Sequence, residues 1–252
     1  MRKFFLNNLK DKQGISLPCF FYSSLSSTMT QAKQLALSGV TCGCVIANKQ
    51  TGGRGRFDRT FLSKRGKGIY LTFFSTWQDC STLPILSGLV SLAVQELLSE
   101  LDIVSSIKWP NDLLIDGKKI CGVLCESIDC GQRIVLLGVG VNVNYVSKDL
   151  AVLPNRATSI RILLGKRYNT LLLAERLTQK IASLVNNFDL VKDKFRQDYI
   201  ASCITLGKTV SFTENEVNLV GTAVSLTSEL ALVIKVGNQE HILNYGEINL
   251  QT

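Results

Sequence analysis

The chain has 252 residues, 46% of them hydrophobic and 19% charged, which excludes a disordered protein and allows one large domain or a large and a small one. No apolar run reaches the ~18–20 residues that span a bilayer. The start, MRKFFLNNLKDK, lacks the sustained apolar stretch of a secretion signal. The formal net charge is +8, and much of it is local: from Lys49 to Lys67 seven basic residues stand against one acid, Asp58. Such a segment seeks an anion, either nucleic acid or a small polyanion such as a nucleoside triphosphate.

In chain order, Ser27 or Thr28 is placed to cap a helix running to about Ser38 and closed by Gly39. Residues 44–47 are short, apolar and strand-like. Lys49 to Lys67 is a glycine-rich basic loop, and Gly68–Thr76 reads as a strand. Leu83 to Leu101 has helical apolar spacing, with Pro84 tolerated in the first turn. A strand from Val104 to Trp109 ends at Pro110. Asp116-Gly117 between apolar runs predicts a hairpin of Leu113–Ile115 with Lys118–Glu126. Residues 134–144 form a further strand, and 169–199 one or two helices. From Thr205 the texture changes to short β-type runs, 209–212, 219–226, 230–236 and 241–243. The eight cysteines show no CxxC spacing and there is one histidine, so the reading is free thiols in a reducing cytoplasm rather than a zinc site. That histidine, His241, falls on a predicted strand far from the other motifs.

Three runs carry chemistry. Gln50-Thr51-Gly52-Gly53-Arg54-Gly55-Arg56 offers glycines for close backbone approach and two arginines able to clamp an oxyanion. Alone, such a run is usually a solvated basic loop. It is not a P-loop, because GxxxxGK[ST] is absent. Lys108-Trp109-Pro110-Asn111-Asp112 places an ammonium at a strand end, then a turn, then a carboxylate. Lys108 can meet a phosphate, and Asp112 can hold Mg²⁺, a hard cation that prefers carboxylate and phosphate oxygens. Alone, Pro-Asn-Asp is usually just a turn. Lys119 follows the hairpin, across from Lys108. Gly138 to Asn144 (GVGVNVN) is a strand lacking the third glycine of a dinucleotide fingerprint. Asn142 and Asn144 share one face of it and could bond a base or ribose.

The order of these runs resembles the biotin protein ligases. The matching pieces are Ser27-Thr28, QTGGRGRFDRTF, KWPNDLLIDGKKICGVL, GVGVNVN, Ala157-Thr158-Ser159-Ile160 and Gly246-Glu247-Ile248, spread over roughly residues 20 to 250. The resemblance implies an α+β fold. A catalytic domain related to class II aminoacyl-tRNA synthetases (mixed sheet with helices, 1–203) would be followed by an SH3-like barrel (204–252). It implies formation of biotinyl-5′-AMP from biotin and MgATP, then transfer to a lysine of a biotin carboxyl carrier domain of acetyl-CoA carboxylase. By resemblance, Ser27, Thr28, Gln50, Gly53, Arg54, Arg56 and Lys119 bind biotin. Arg56, Phe61, Lys108, Asn111 and Asn142 bind ATP, and Asp112 holds Mg²⁺. Arg56, Lys108 and Lys119 are the expected catalytic residues.

The family pattern GRGRxGRxW is altered here by Asp58 and Phe61, and Met29 stands where an asparagine is common. About twenty residues precede the first motif, too few for an N-terminal helix-turn-helix, so no DNA partner and no membrane are expected. Edge strands of the sheet could pair two chains into a homodimer. Three other readings stay open. One is a lipoate–protein ligase of the same superfamily. Another is a nucleic-acid-binding protein using the basic loop. The third is a non-catalytic relative that only binds biotin, given Asp58.

Overall fold

The computed structural model describes residues 2–10, 16–57, 59–77, 83–154, 156–244 and 246–250. An antiparallel pair comes first, β1 (Arg2–Lys10) with β2 (Ser16–Tyr22). Then come α1 (Thr28–Leu37), β3 (Cys42–Ala47), β4 (Gly68–Thr76) and α2 (Leu83–Ser99). Next are β5 (Ser106–Lys108), β6 (Asp112–Ile115), β7 (Lys118–Asp129) and β8 (Arg133–Asn142). The helices α3 (Ser147–Leu150), α4 (Ile160–Leu164), α5 (Thr170–Asn186) and α6 (Phe188–Ser202) follow. The last strands are β9 (Thr209–Glu214), β10 (Val217–Leu226), β11 (Leu232–Val236), β12 (Gln239–Leu243) and β13 (Ile248–Leu250).

These strands form two sheets. The larger has eight strands in the order β1-β2-β3-β4-β8-β7-β6-β5, and the smaller has five in the order β12-β11-β10-β9-β13. The larger sheet is mixed, because β2 and β3 run parallel while its other pairs are antiparallel. The fold is thus α+β with a mixed sheet. No helix among the described residues is long and apolar enough to cross a membrane.

Two apolar cores lie against the larger sheet, and strand alternation explains the division. Along β8, Val135, Leu137, Val139 and Val141 face a core shared with α2 and α5. The alternate positions include Gly138, Gly140 and Asn142, which face a cavity on the other side. α1 covers part of that second face with Met29, Ala32 and Ala36, against Phe20, Val45, Phe74 and Leu136. α5 is capped by Asn169, whose side chain accepts from Leu171 N and Leu172 N at 3.0 and 3.2 Å. It buries Leu173, Ala174, Leu177, Ile181 and Val185, one stripe at helical spacing.

Most predicted elements are present, with shifted ends. The helix from Leu83 stops at Ser99, and Asp102 takes a left-handed φ of 58° just after it. The expected strand 104–109 is ordered into the sheet only at 106–108. β1, β2, α3, α4 and β13 are not among the expected elements. The residues of β1 do not alternate cleanly, and pairing with β2 makes them a strand. α4 had a readable signal in Ser159, which accepts from Ile162 N at 3.2 Å, and in Gly165 at φ 74°.

Candidate active site

The second face of the larger sheet forms the floor of a cavity of about 720 Å³. The N-terminus of α1, the basic loop, the turn at 108–112, Leu153, Pro154, Ala157 and the segment 246–248 make its walls. Ser27, Thr28, Gln50, Arg54, Arg56, Phe61, Lys108, Asn111, Asp112, Lys119 and Asn142 all line it. Residues distant in sequence therefore converge as the motif order implied, with one exception. Gly53 does not line the cavity. It is buried in the loop, where a Cβ would come within 2.6 Å of the Phe61 carbonyl and the Ser63 hydroxyl. Its missing side chain leaves space that Phe61 and Ser63 fill.

One end of the cavity is polar and already hydrogen-bonded in a directed series. The Thr72 hydroxyl donates to the Thr28 hydroxyl at 2.9 Å, and the Thr28 hydroxyl to Gln50 Oε1 at 3.1 Å. Gln50 Nε2 donates to the Ser63 hydroxyl at 2.9 Å, which donates to the Phe61 carbonyl at 2.9 Å. Gln50 Oε1 also accepts from Thr28 N at 2.8 Å. Ser27 occupies the cap position of α1, but its side chain makes no capping bond. Beside this end Met29 lies over Gly138, where a Cβ would fall 2.7 Å from the thioether sulfur. Phe61 lies over Gly140 in the same way, at 2.4 Å, and its ring forms a T-shaped pair with Tyr70. Glycine in the strand thus makes room for two cavity side chains.

The other end is charged. The basic loop folds back on itself through an Arg54–Thr60 bridge and is held at its base by two tyrosines. The Tyr145 hydroxyl meets the Leu62 carbonyl at 2.8 Å and accepts from Lys64 N at 3.0 Å. The Tyr70 hydroxyl meets the Lys64 carbonyl at 2.8 Å. Burial raises the pKa of both phenols, so they remain neutral donors. Lys67 and Lys64 pair with Asp149 at 2.9 and 3.4 Å, and the Lys67 contact, then the Val146 N–H, then Lys64, hold its carboxyl at about 2. Much of the loop's excess charge is therefore engaged within the protein. Asp58, at the altered position of the family pattern, lies outside the described residues.

Arg56 reaches across the cavity. Its guanidinium donates to Asn111 Oδ1 at 3.2 Å and to the Gly246 carbonyl at 2.7 Å. Burial lowers its pKa, and the nearby carboxylates Asp112 and Glu247 partly oppose that. Arg59 pairs with Glu247 at 2.6 Å. Among the described residues the Lys108 side chain makes no ion pair, which leaves its ammonium for a ligand. Lys119 pairs with Asp112 at 2.5 Å.

A bulge aims Lys119. The register of β6 on β7 shifts between Leu113, opposite Cys121, and Leu114, opposite Lys119. Ile120 and Cys121 therefore both enter the core, and Lys119 and Gly122 both face the cavity. The thiols of Cys121 and Cys125 are pushed up by burial, which disfavours the nucleophilic thiolate.

The turn at 108–112 is fixed from several sides. The Trp109–Pro110 peptide is cis. The Trp109 indole donates to the Leu230 carbonyl at 2.8 Å, and its backbone N–H to the Thr205 hydroxyl at 3.0 Å. The Pro110 carbonyl accepts from Ser87 and Tyr199 at 3.3 and 3.2 Å. Asn111 Nδ2 donates to the Val123 carbonyl at 2.6 Å.

Asn144 is not a ligand group. Its amide donates to the Gly66 and Tyr168 carbonyls at 3.0 and 2.9 Å and accepts from Tyr168 N at 2.9 Å. His241 pairs with Glu214 at 2.6 Å on the smaller sheet.

Asp112 suits Mg²⁺ in one mode. Mg²⁺ is commonly held by one or two carboxylates together with substrate phosphates and waters. A half-buried carboxylate lining an open cavity supplies one oxygen ligand of such a set. Among the described residues, no cluster of three His, Cys, Asp or Glu side chains makes an all-protein cage.

Several lining residues were not anticipated from the sequence as site residues: Gly122, Leu124, Leu153, Ala157 and Glu247. The available signal was glycine inside a strand in KKICGVL, as it was for Gly138 and Gly140.

Comparison with known proteins agrees with this geometry. Residues 21–144 match the Biotin/lipoate A/B protein ligase family. The bifunctional ligase/repressor BirA of Bacillus subtilis is 36% identical over 153 residues, 58% of this chain and 47% of that protein. The biotin–[acetyl-CoA-carboxylase] ligase of Mycobacterium tuberculosis is 28% identical over 211 residues, 81% of this chain and 77% of that one. The chain thus spans about half the length of the first of these relatives. The structure of the Aquifex aeolicus biotin protein ligase in complex with biotin and ATP superposes with a TM-score of 0.77. It is 27% identical, covering 92% of this chain and 98% of that one.

Proposed function

From the premise that residues 21–144 of this chain are a Biotin/lipoate A/B protein ligase family domain, we propose that the protein is an ATP-dependent biotin protein ligase. The observation that carries this is one cavity with two unlike ends. A hydroxyl and amide end, Ser27, Thr28 and Gln50, suits the ureido head of biotin. A cationic end, Arg56, Lys108 and Lys119, suits a carboxylate meeting a triphosphate. On this reading residues 1–203 are the catalytic domain, related to class II aminoacyl-tRNA synthetases, and 204–252 an SH3-like barrel.

Two steps follow. The biotin carboxylate attacks the α-phosphorus of ATP, and pyrophosphate leaves. The mixed anhydride is then attacked at its acyl carbon by a lysine amine of a biotin carboxyl carrier domain of the acetyl-CoA carboxylase type, and AMP leaves. Lys108 and Lys119 stabilise the charge that grows on the oxygens around phosphorus. Asn111 and Asn142 position the nucleotide, and Phe61 offers a ring for the base. Asp112 would hold Mg²⁺, which would neutralise phosphate charge. No protein nucleophile is needed, since positioning alone is worth roughly 7–11 kcal/mol.

The test is to mix the protein with MgATP and radiolabelled biotin, with and without a carrier domain, and to follow biotinyl-AMP and labelled carrier. Label on the carrier is the expected result. No adenylate from biotin, or adenylate from lipoate instead, overturns the proposal.

Arg56 gives a second expectation. It ties the loop to both Asn111 and Gly246, so Arg56→Gly opens the cavity over the adenylate. Loss of charge-assisted bonds worth ~1.5–3 kcal/mol corresponds to release faster by about 10- to 100-fold. Biotinyl-AMP then labels lysines of bystander proteins, read by blotting. Retention of the adenylate at the wild-type rate counts against this role.

A further inference from the structure

The Lys119–Asp112 pair is built into the fold. The backbone of Lys119 is pinned on both sides, its N–H to the Arg156 carbonyl and its carbonyl to Thr158 N, each at 2.9 Å. Only its side chain is left to move. That side chain lies across Gly122, the cross-strand partner of Asp112, and a Cβ there would stand 3.0 Å from both Cε and Nζ of Lys119. The ammonium is thereby brought to 2.5 Å from Asp112 Oδ1. Both side chains are only partly exposed, 34% and 25%, so their attraction is less screened than that of a surface pair. Among the described residues, the cavity's two carboxylates each hold a cation, Asp112 holding Lys119 and Glu247 holding Arg59. An incoming carboxylate therefore meets Lys119 already engaged.

Resting on the biotin-ligase reading, we propose that Asp112 is the counter-ion that the substrate carboxylate must displace from Lys119. The two carboxylates compete for one ammonium, and the exchange is a side-chain rotation about a fixed backbone. Apparent affinity for the acid substrate is then the intrinsic affinity reduced by the fraction of chains whose Lys119 is free. A neutral analogue, biotinamide, does not join this competition. Asp112 here acts as a positioning residue, separately from any role toward Mg²⁺.

The experiment is calorimetric binding of biotin and of biotinamide to the full chain, without ATP or metal. If the pair holds Lys119 about nine-tenths of the time, Asp112→Asn tightens biotin binding about tenfold and leaves biotinamide unchanged. In a Lys119→Met background the same substitution has no such effect, because there is no ammonium to release. Equal tightening in that background means general repulsion by Asp112 and overturns the inference. So does unchanged biotin affinity in Asp112→Asn. Asp112→Ala repeats the test if the amide variant is poorly folded, and a native thermal transition identifies which variant to use. Wild-type protein that binds neither compound overturns the biotin reading and the exchange with it. Wild-type binding without an effect of Asp112 overturns the exchange alone.

Discussion

Replacing Lys119 by alanine is expected to slow formation of biotinyl-AMP by about 10²- to 10³-fold, the range found when one charge-stabilising donor is removed from a transition state. The bulge in β7 turns this one lysine out of the core register and onto the cavity face. Neighbouring Ile120 and Cys121 stay in the core, so the substitution leaves the packing of the strand intact. Its effect falls on the reaction rather than on folding. Pyrophosphate release at saturating biotin and ATP is the measurement. The melting transition should stay near the wild-type one, because the lysine side chain is a third exposed. Pyrophosphate release within twofold of wild type removes Lys119 from the reaction.

Trp109→Ala is expected to destabilise the whole chain by ~3–5 kcal/mol, the cost typical of emptying a buried aromatic site. Trp109 is 1% exposed and is the largest of the fully buried side chains. Its indole N–H crosses from the turn of the larger sheet to the Leu230 carbonyl, next to β11. Trp109→Phe separates the two contributions. It retains most of the ring volume but leaves that carbonyl without its donor, a loss of ~1–3 kcal/mol. Urea midpoints of the three proteins give the comparison. If Trp109→Ala unfolds at the wild-type midpoint, the two sheets are not coupled through this side chain.

Much of the site was legible because its residues are locally encoded. Asp116-Gly117 predicts the hairpin, and both residues have positive φ, 48° and 71°. Alternation in GVGVNVN separates the core valines from the glycines facing the cavity. The bulge behind Lys119 could not be read, since nothing in KKICG marks where an extra residue enters the ladder. Gly53 shows a similar limit. A glycine beside arginines suggests ligand approach, whereas the space it leaves is filled by Phe61 and Ser63 of its own loop. Asn144 shows the same limit. It alternates with Asn142 in sequence, but the strand ends between them, and its amide is taken up by Gly66 and Tyr168. β1 was missed because an edge strand is defined by the neighbour it pairs with, not by its own pattern.

The hydroxyl series that ends on the Phe61 carbonyl gives Gln50 a polarity that no isostere reproduces. That carbonyl can only accept, so Ser63 must point its proton there and take another from Gln50. The amide nitrogen is therefore fixed on the Ser63 side, and its oxygen on the Thr28 side. A glutamate has the right shape but no proton to give. In Gln50→Glu the Ser63 hydroxyl would turn toward the new carboxylate and abandon the Phe61 carbonyl, leaving the residue whose ring lies over Gly140 held only by its N–H bond to the Gly53 carbonyl. An atom exchange at Gln50 would thus be felt at Phe61, two hydrogen bonds away.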